Sequence, residues 1–195
     1  MLGNSAEYVP HVLSGCGTLV QSKYKARNDA ALKVLFFDLL CDVGLIESAP
    51  SWCLPETPKP EYKNDQASTF WDVPVYAEKT EVRANRIDVR DLDKQKKVLL
   101  LEMSCPWMAN RKQREEENTS KYAPLRWEMH QQYPHTHKTA QHNIIIDVLG
   151  GVSRETLHSI KELVGVRADK ILLDMQKAVI ASTLNIAWSF KVLTA

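Results

Sequence analysis

Apolar residues recur at helical spacing in four separate parts of the chain. Positions three and four residues apart on one face are the pattern of an amphipathic helix. The predicted helices are Lys25–Ile46, Asn110–Tyr122, Ser153–Val164 and a long last helix that starts at Asp169. Pro124 either kinks the second of these helices or opens a further helix that continues to Tyr133.

Short apolar runs between these helices predict four β-strands. Three of them precede the second helix: Phe70–Tyr76, Arg86–Leu92 and Val98–Cys105. Pro74 cannot donate to a β-ladder and therefore places the first strand near a sheet edge. The run HNIIIDVLGG, at residues 142–151, does not alternate, which predicts a strand covered on both faces. The order helix, three strands, helix, strand and two helices is typical of an α/β fold with a mixed sheet flanked by helices.

Two segments show no periodic pattern. Residues 1–21 contain Pro10, Gly15 and Gly17 and are predicted to be a loop or an incomplete small module, which leaves one domain over residues 22–195. Residues 48–65, SAPSWCLPETPKPEYKND, are rich in proline and are predicted to be an irregular surface connection.

Two acidic residues border a predicted hairpin. If its turn, DKQKK, is centred on Gln95, then Asp88 lies opposite Glu102, since each is seven residues from the centre. Opposed residues share a face of the sheet, and like charges placed in this way are destabilising. A hard divalent cation such as Mg²⁺ or Mn²⁺ reverses the repulsion because it takes carboxylate oxygens as ligands. Such an ion also lowers the pKa of water and stabilises charge on a phosphoryl oxygen, which phosphodiester hydrolysis requires.

A simpler interpretation of the second acid stays open. Glu102 can end its strand at the surface and pair with a neighbouring Lys or Arg. A slip of one residue in the hairpin register would also separate the two acids.

The helix after the second acid carries the next candidate. Lys121 can reach back over the sheet edge to neutralise a phosphate. The alternative is a helical salt bridge with Glu117, which stands four residues before it in the favoured orientation. Candidate phosphate contacts, which are also typical of a solvated surface, are Arg86, Arg111, Lys112 and Arg114.

Composition narrows the classes of function. The formal net charge is +1, from 25 basic and 24 acidic residues, so any DNA affinity depends on local clusters. The four cysteines form no C-x-x-C pair, which indicates reduced thiols in an intracellular protein. The sequence shows no signal peptide and no apolar run of about 18 residues, so no membrane association is predicted. Cys105 lies in no nucleophile elbow, which argues against a thiol or serine hydrolase.

Four short motifs occur in an order that resembles a known domain. NRIDVRD, LLLEMSCPW, EEENTSKYAPLR and HNIIIDVLGG together look like the restriction-enzyme-like endonuclease domain that follows the reverse transcriptase in some non-LTR retrotransposons. The resemblance extends over nearly the whole chain. It implies a PD-(D/E)XK core of α-β-β-β-α-β order with a mixed sheet, followed here by C-terminal helices, which agrees with the order predicted above.

The resemblance implies that Asp88 and Glu102 are the metal-binding acids. Ser104 stands where an ordinary PD-(D/E)XK enzyme has its lysine, and the retrotransposon type instead carries a K-x-x-K-Y pattern in the next helix. That pattern reads NTSKY at residues 118–122, so Asn118 replaces its first lysine. Lys121, one helical turn away, is then the candidate catalytic lysine. If Lys121 does not substitute, the protein is expected to bind metal but to cleave poorly.

The first residues resemble part of another module of the same elements. EYVPHVLSGCG looks like the second half of the zinc knuckle that precedes this nuclease, with His11 and Cys16 at H-x4-C spacing. A structural zinc needs four ligands, and Leu2 stands where an upstream cysteine is expected, so zinc binding is not predicted. Residues 1–21 are therefore expected to be an incomplete knuckle in a fragment of a longer polyprotein.

The resemblance also implies a function. A Mg²⁺- or Mn²⁺-dependent endonuclease of this type nicks DNA so that the exposed 3′ hydroxyl primes reverse transcription. Its expected partners are DNA, RNA and the reverse transcriptase of the parent element, in the nucleus. The alternative is a catalytically decayed remnant that binds nucleic acid or a protein. Asn118, the missing knuckle cysteines and the near-zero net charge favour that alternative.

Overall fold

The centre of the fold is a five-stranded sheet whose strands are neighbours in chain order. The structure, a computed structural model, describes residues 9–76, 82–93, 97–133 and 138–193. The strands are β1 (Glu61–Lys63), β2 (Ala67–Trp71), β3 (Val89–Asp93), β4 (Lys97–Ser104) and β5 (Lys138–Ile145). Strands β1 to β4 pair antiparallel and β5 runs parallel to β4, so the predicted mixed sheet is confirmed.

Helices cover both faces of the sheet. In the described part of the chain the longer ones are α1 (Lys25–Asp42), α2 (Arg111–Lys121), α3 (Ala123–Gln132), α4 (Arg154–Val164) and α5 (Ala168–Leu193). Shorter helical turns are His11–Gly15, Gly17–Leu19, Val20–Tyr24, Met108–Asn110 and Gly165–Arg167. The α/β class predicted from the order of the elements is therefore confirmed.

The alternation of side chains along β4 divides the core into two layers. Leu99, Leu101 and Met103 pack in a cluster with buried side chains of α1, α4 and α5. Val98 and Leu100 point the other way, into a second cluster that contains these residues of the α2–α3 region: Tyr122, Leu125 and Met129. Because the side-chain period of a strand is two, residue 102 belongs to the α2 face.

Several local signals act as predicted. The Ser153 hydroxyl caps α4 by accepting the backbone N–H of Thr156 at 3.1 Å. Pro124 lies in the first turn of α3, where its missing N–H costs nothing, so it opens a new helix. Residues 142–148 are all buried, which confirms a strand segment covered on both faces. No helix within the described ranges is long and apolar enough to cross a membrane.

The prediction for the first strand is wrong in position. β2 ends at Trp71, and Pro74 lies beyond it in an isolated bridge with Arg86. β1, which falls in the segment predicted to be irregular, covers the edge of β2. The proline-rich sequence hides β1 because three residues are too few to show a period. Packing identifies it instead, since the ring of Tyr62 meets that of Phe36 at 5.7 Å.

The beginning of the described chain is helical, whereas a loop was predicted. Residues 9–24 form consecutive helical turns, and Val12 and Leu13 are buried against Ile186 of α5. Two buried residues are too few to show a helical period, so tertiary packing decides this structure. At the other end of α1, the helix stops at Asp42, before its predicted end, and Gly44 adopts a φ of 67°.

Candidate metal centre

The hairpin brings the two predicted acids into one cleft. The β3–β4 register pairs Val89 with Leu101, and Asp88 and Glu102 are the residues that directly adjoin this pair. Gln95, on which the prediction centred the turn, lies outside the described residues. Asp88 and Glu102 both line a cleft of about 400 Å³ at the carboxyl end of β4. The predicted juxtaposition of the two carboxylates is therefore confirmed.

Asp88 directly precedes β3, and both its backbone carbonyl and its carboxylate accept hydrogen bonds. Its Oδ2 accepts the backbone N–H of Met103 at 2.7 Å, and its carbonyl accepts the N–H of Asp72 at 2.7 Å. Burial, followed by the charge of Glu102, raises the pKa of Asp88 to about 8. Removing a carboxylate from water and placing another beside it both disfavour the ionised form.

Glu102 is buried within a strand rather than placed at the surface, so that part of the simpler interpretation is wrong. Its exposed fraction is 7%, and burial raises its pKa although the ammonium of Lys121 acts in the opposite direction. The Nζ of Lys121 lies 3.5 Å from Oε1. Oε2 is buried and has no hydrogen-bond partner among the described residues. A buried carboxylate oxygen without a donor is costly.

Asn28 adds a third oxygen that the sequence analysis missed. It lies on α1, lines the same cleft, and donates from Nδ2 to the carbonyl of Met103 at 3.3 Å. Asn28 and Asp88 thus hydrogen-bond to the carbonyl and the N–H of Met103, the residue that directly follows Glu102. The Oδ1 of Asn28 is also buried without a partner in the described structure. No sequence signal marks this residue, because it is 75 positions away from Met103.

The oxygens in the cleft fit a hard cation. Two carboxylates and an amide carbonyl are ligand types that Mg²⁺ and Mn²⁺ accept, with water completing the coordination. The described residues contain no group of three or more His, Cys, Asp or Glu side chains placed to hold a metal ion. The oxygens that could hold a cation in this cleft are therefore those of Asp88, Glu102 and Asn28.

Lys121 is directed towards the cleft by its neighbour. Its Nζ donates to the Tyr122 hydroxyl at 2.6 Å and lies 4.3 Å from the centre of that ring. The Tyr122 hydroxyl in turn donates to the carbonyl of Arg86 at 3.2 Å. Glu117, the alternative partner in the helix, instead pairs with Arg114 at 3.0 Å. The ion pair of Lys121 is therefore with Glu102.

Ser104 and Asn118 meet in space beside the two acids. Asn118, on α2, is buried and donates from Nδ2 to the Ser104 hydroxyl at 3.1 Å. Both residues line the cleft. A neutral hydrogen bond, and no charged group, therefore joins these two residues at this side of the cleft.

The predicted phosphate contacts are dispersed. Arg114 lines the cleft, whereas Arg86 donates from Nε to Asp72 at 2.5 Å. Arg111 pairs with the buried Asp147 at 3.4 Å and, together with Lys112, lines a second cavity of about 480 Å³. These side chains are not collected on one surface, and their DNA contacts stay predictions.

Other candidates are placed as follows. Cys105 is fully buried and its pKa is raised to about 12, which makes its thiol a poor nucleophile. His11 lies in the first helical turn, and the thiol of Cys16 contacts the Thr18 hydroxyl at 2.9 Å. Leu2, at the position expected for a knuckle cysteine, is outside the described residues.

A buried arginine forms one side of the cleft and was not predicted. Arg27 donates from Nη1 to the carbonyl of Leu13 at 2.8 Å and from Nη2 to that of Cys105 at 3.1 Å. It therefore ties α1 to the first helical turn and to the end of β4. Its guanidinium is a buried positive charge in the lining of the cleft.

Comparison of the chain with models of protein families, with curated proteins and with solved structures gives no match.

Proposed function

We propose that this chain is a divalent-cation-dependent DNA endonuclease domain of the restriction-enzyme-like type associated with non-LTR retrotransposons. One observation carries the proposal. Asp88, which is half-buried, and Glu102, which is buried, share one cleft, and Glu102 and Asn28 each have an oxygen without a donor in the described structure. Two carboxylates placed together in this way repel each other unless a proton or a cation neutralises them, and a divalent cation would neutralise both.

The order of elements supports the same proposal. Helix α1 precedes the antiparallel strands β2, β3 and β4, and α2 and α3 lead to the parallel strand β5. This is the α-β-β-β-α-β order of the PD-(D/E)XK core, with β1 as an additional edge strand and with α4 and α5 following it. On this proposal, Asp88 and Glu102 correspond to the metal ligands of that core.

Each residue of the cleft has a distinct task in the proposed reaction. Asp88, Glu102 and Asn28 would hold the ion, which when bound supplies a Lewis acid that activates water and polarises a phosphoryl oxygen. Lys121 would stabilise the negative charge that develops on the phosphate, because its ammonium is fixed by Tyr122 at the mouth of the cleft. Arg114, on the same helix, is positioned to contact a neighbouring phosphate.

Metal binding and nicking test the proposal together. Titration calorimetry with Mn²⁺ should show binding to the wild type and none to Asp88→Ala. Supercoiled plasmid should be nicked by the wild type with Mg²⁺ or Mn²⁺, and Asp88→Ala should be inactive. Asp38→Ala is the matched control, since it removes an aspartate that pairs with Arg167 and does not line the cleft. Equal nicking by the wild type and Asp88→Ala would exclude the mechanism.

A second function, a decayed nuclease that retains the fold, is favoured by Asn118. Its amide is buried against Ser104, so the first lysine of the K-x-x-K-Y pattern is replaced by a neutral group. If the chain has decayed at this point, the wild type binds Mn²⁺ but nicks poorly. Asn118→Lys or Ser104→Lys should then raise nicking at least about tenfold, since one well-placed stabilising group contributes on the order of 10²-fold. Unchanged nicking in both variants, with Mn²⁺ binding intact, would rule out decay at the lysine position.

A further inference from the structure

Asp72 has an unusual backbone conformation beside the cleft. It follows the last residue of β2 and has a φ of 51°, and within the described ranges no other non-glycine residue has a positive φ. The left-handed region is uncommon for side chains other than Asn and Asp, and holding a residue there costs about 1 kcal/mol or more. A fold retains such a residue where the surrounding contacts require it.

The backbone of Asp72 supports Asp88. The N–H of Asp72 donates to the carbonyl of Asp88 at 2.7 Å, at the point where β2 has ended and β3 begins. Asp88 is therefore fixed by two hydrogen bonds of different origin, one from Asp72 to its carbonyl and one from Met103 to its carboxylate. The positive φ of Asp72 accompanies the first of these bonds.

The side chain of Asp72 forms ion pairs with two basic residues from separate parts of the fold. Lys25, in the first turn of α1, contacts Oδ2 at 2.5 Å. Arg86 contacts Oδ1 from Nε at 2.5 Å and Oδ2 from Nη2 at 3.0 Å, and its Nε also lies 3.0 Å from the Asp72 carbonyl. Partial burial acts to raise the pKa of Asp72, but Lys25 and Arg86 outweigh it and hold that pKa below its usual range.

These contacts connect Asp72 with further elements that carry side chains of the candidate site. Lys25 begins the helix that carries Asn28. Arg86 holds the Tyr122 hydroxyl through its carbonyl, and Tyr122 holds Lys121. A single carboxylate thus connects the segment before β3 with α1 directly, and with the end of α2 through Arg86.

We propose that Asp72 is a positioning residue that sets the distance between Asp88, Asn28 and Lys121 around the metal centre. This inference rests on the proposed function. It also gives Arg86 a positioning role. The guanidinium of Arg86 binds the carboxylate of Asp72, and its carbonyl accepts a hydrogen bond from the Tyr122 hydroxyl. Residues that hold metal ligands in place typically change metal affinity by about 10- to 100-fold when they are replaced.

Two variants of Asp72 separate its charge from its backbone conformation. Asp72→Gly keeps the positive φ and the N–H but removes the carboxylate, and Asp72→Asn tolerates the same φ while removing the charge. Both should weaken Mn²⁺ binding about tenfold or more in calorimetric titration of the full chain. Asp38→Asn is the matched control, since it neutralises another aspartate that pairs with an arginine, and its Mn²⁺ affinity should equal that of the wild type.

The outcomes distinguish this inference from the proposed function. A wild type that does not bind Mn²⁺ overturns both. A wild type that binds, together with Asp72 variants that fold and bind equally well, overturns the positioning role and leaves the metal centre standing. If both Asp72 variants fail to fold, Arg86→Gln removes the bound guanidinium while leaving the Asp72 backbone intact. It should then show the same tenfold loss, and wild-type affinity in Arg86→Gln would refute the inference.

Discussion

Replacing Asp88 by asparagine should make the metal-free protein more stable at alkaline pH. The substitution keeps the shape of the side chain and an oxygen that can accept the N–H of Met103, but it removes the ionisable group. In the folded protein, burial and the charge of Glu102 raise the pKa of Asp88 to about 8. In the unfolded chain, an aspartate titrates at about 3.9.

The sign of the effect follows from these two values. Between them, the folded state holds a proton that the unfolded state has released, so stability falls as pH rises. The contribution of the carboxyl is fully present below pH of about 4 and is lost as pH rises through about 8. Each pH unit in this window costs about 1.4 kcal/mol. Because Asp88 and Glu102 titrate together, we expect a change of roughly 2–4 kcal/mol between pH 5 and pH 8.

Urea unfolding followed by circular dichroism, with EDTA present, measures this change. The difference between Asp88→Asn and the wild type should grow in favour of the variant from pH 5 to pH 8. In thermal scans it should amount to roughly 5–15 °C at the upper end. Excess Mn²⁺ should reverse the order, because the wild type gains stability by binding the ion and the variant does not.

Two results would refute this reasoning. Parallel stability curves for the wild type and Asp88→Asn would show that this carboxyl is not held in its neutral form by the fold. The same pH-dependent gain in Asp38→Asn, whose carboxylate pairs with Arg167 at 2.9 Å, would show that the effect is not specific to the cleft.

Three further predictions concern one residue of the site region and two positions away from the cleft. Gly151→Ala should destabilise the protein by about 2 kcal/mol or more in urea unfolding, because the new Cβ would lie 2.4 Å from Oδ2 of Asp147. Tyr122→Phe removes the hydroxyl that holds Lys121, so nicking of supercoiled plasmid should fall about tenfold or more. Wild-type nicking by this variant would contradict the role given to Lys121. Ser153→Ala should cost about 1 kcal/mol of stability through loss of the α4 cap, with no change in Mn²⁺ binding.

The acidic pair could be predicted because, in a hairpin, the distance of each residue from the turn determines which residue lies opposite it. Once two strands and a short turn are recognised, counting outward from the turn assigns partners, and the partners share a face. Asp88 and Glu102 were found in this way although the turn residues 94–96 are not described. The cap at Ser153 and the helix that starts at Pro124 were predictable for a similar reason, since each depends on a few adjacent residues.

The rest of the site could not be predicted because its contacts join distant parts of the chain. Asn28 reaches Met103 across 75 positions and Asp72 binds Lys25 across 47. Neither residue belongs to a periodic pattern or a motif. The conformation of Asp72 also gave no signal, since glycine or asparagine is the usual residue at a positive φ. Contacts of this kind depend on how the helices pack on the sheet, which a local sequence pattern does not specify.

The distribution of unfavourable features distinguishes the cleft from the second cavity. In the cleft, Arg27, Asn28 and Glu102 each have a buried polar atom without a partner among the described residues, and Asp72 beside it has a strained backbone. Each such atom costs about 1–3 kcal/mol. The second cavity contains Arg111 in an ion pair, and none of its lining residues leaves a buried side-chain atom unsatisfied in the described structure.

Proteins tend to break local rules where function requires it. A bound divalent ion would satisfy the oxygens of Glu102 and Asn28 and would also remove the repulsion between Glu102 and Asp88. No comparable ligand is needed in the second cavity, where the charge of Arg111 is already matched by Asp147. Of these two cavities, the cleft at the end of β4 is therefore the one in which a bound cation would stabilise the fold more.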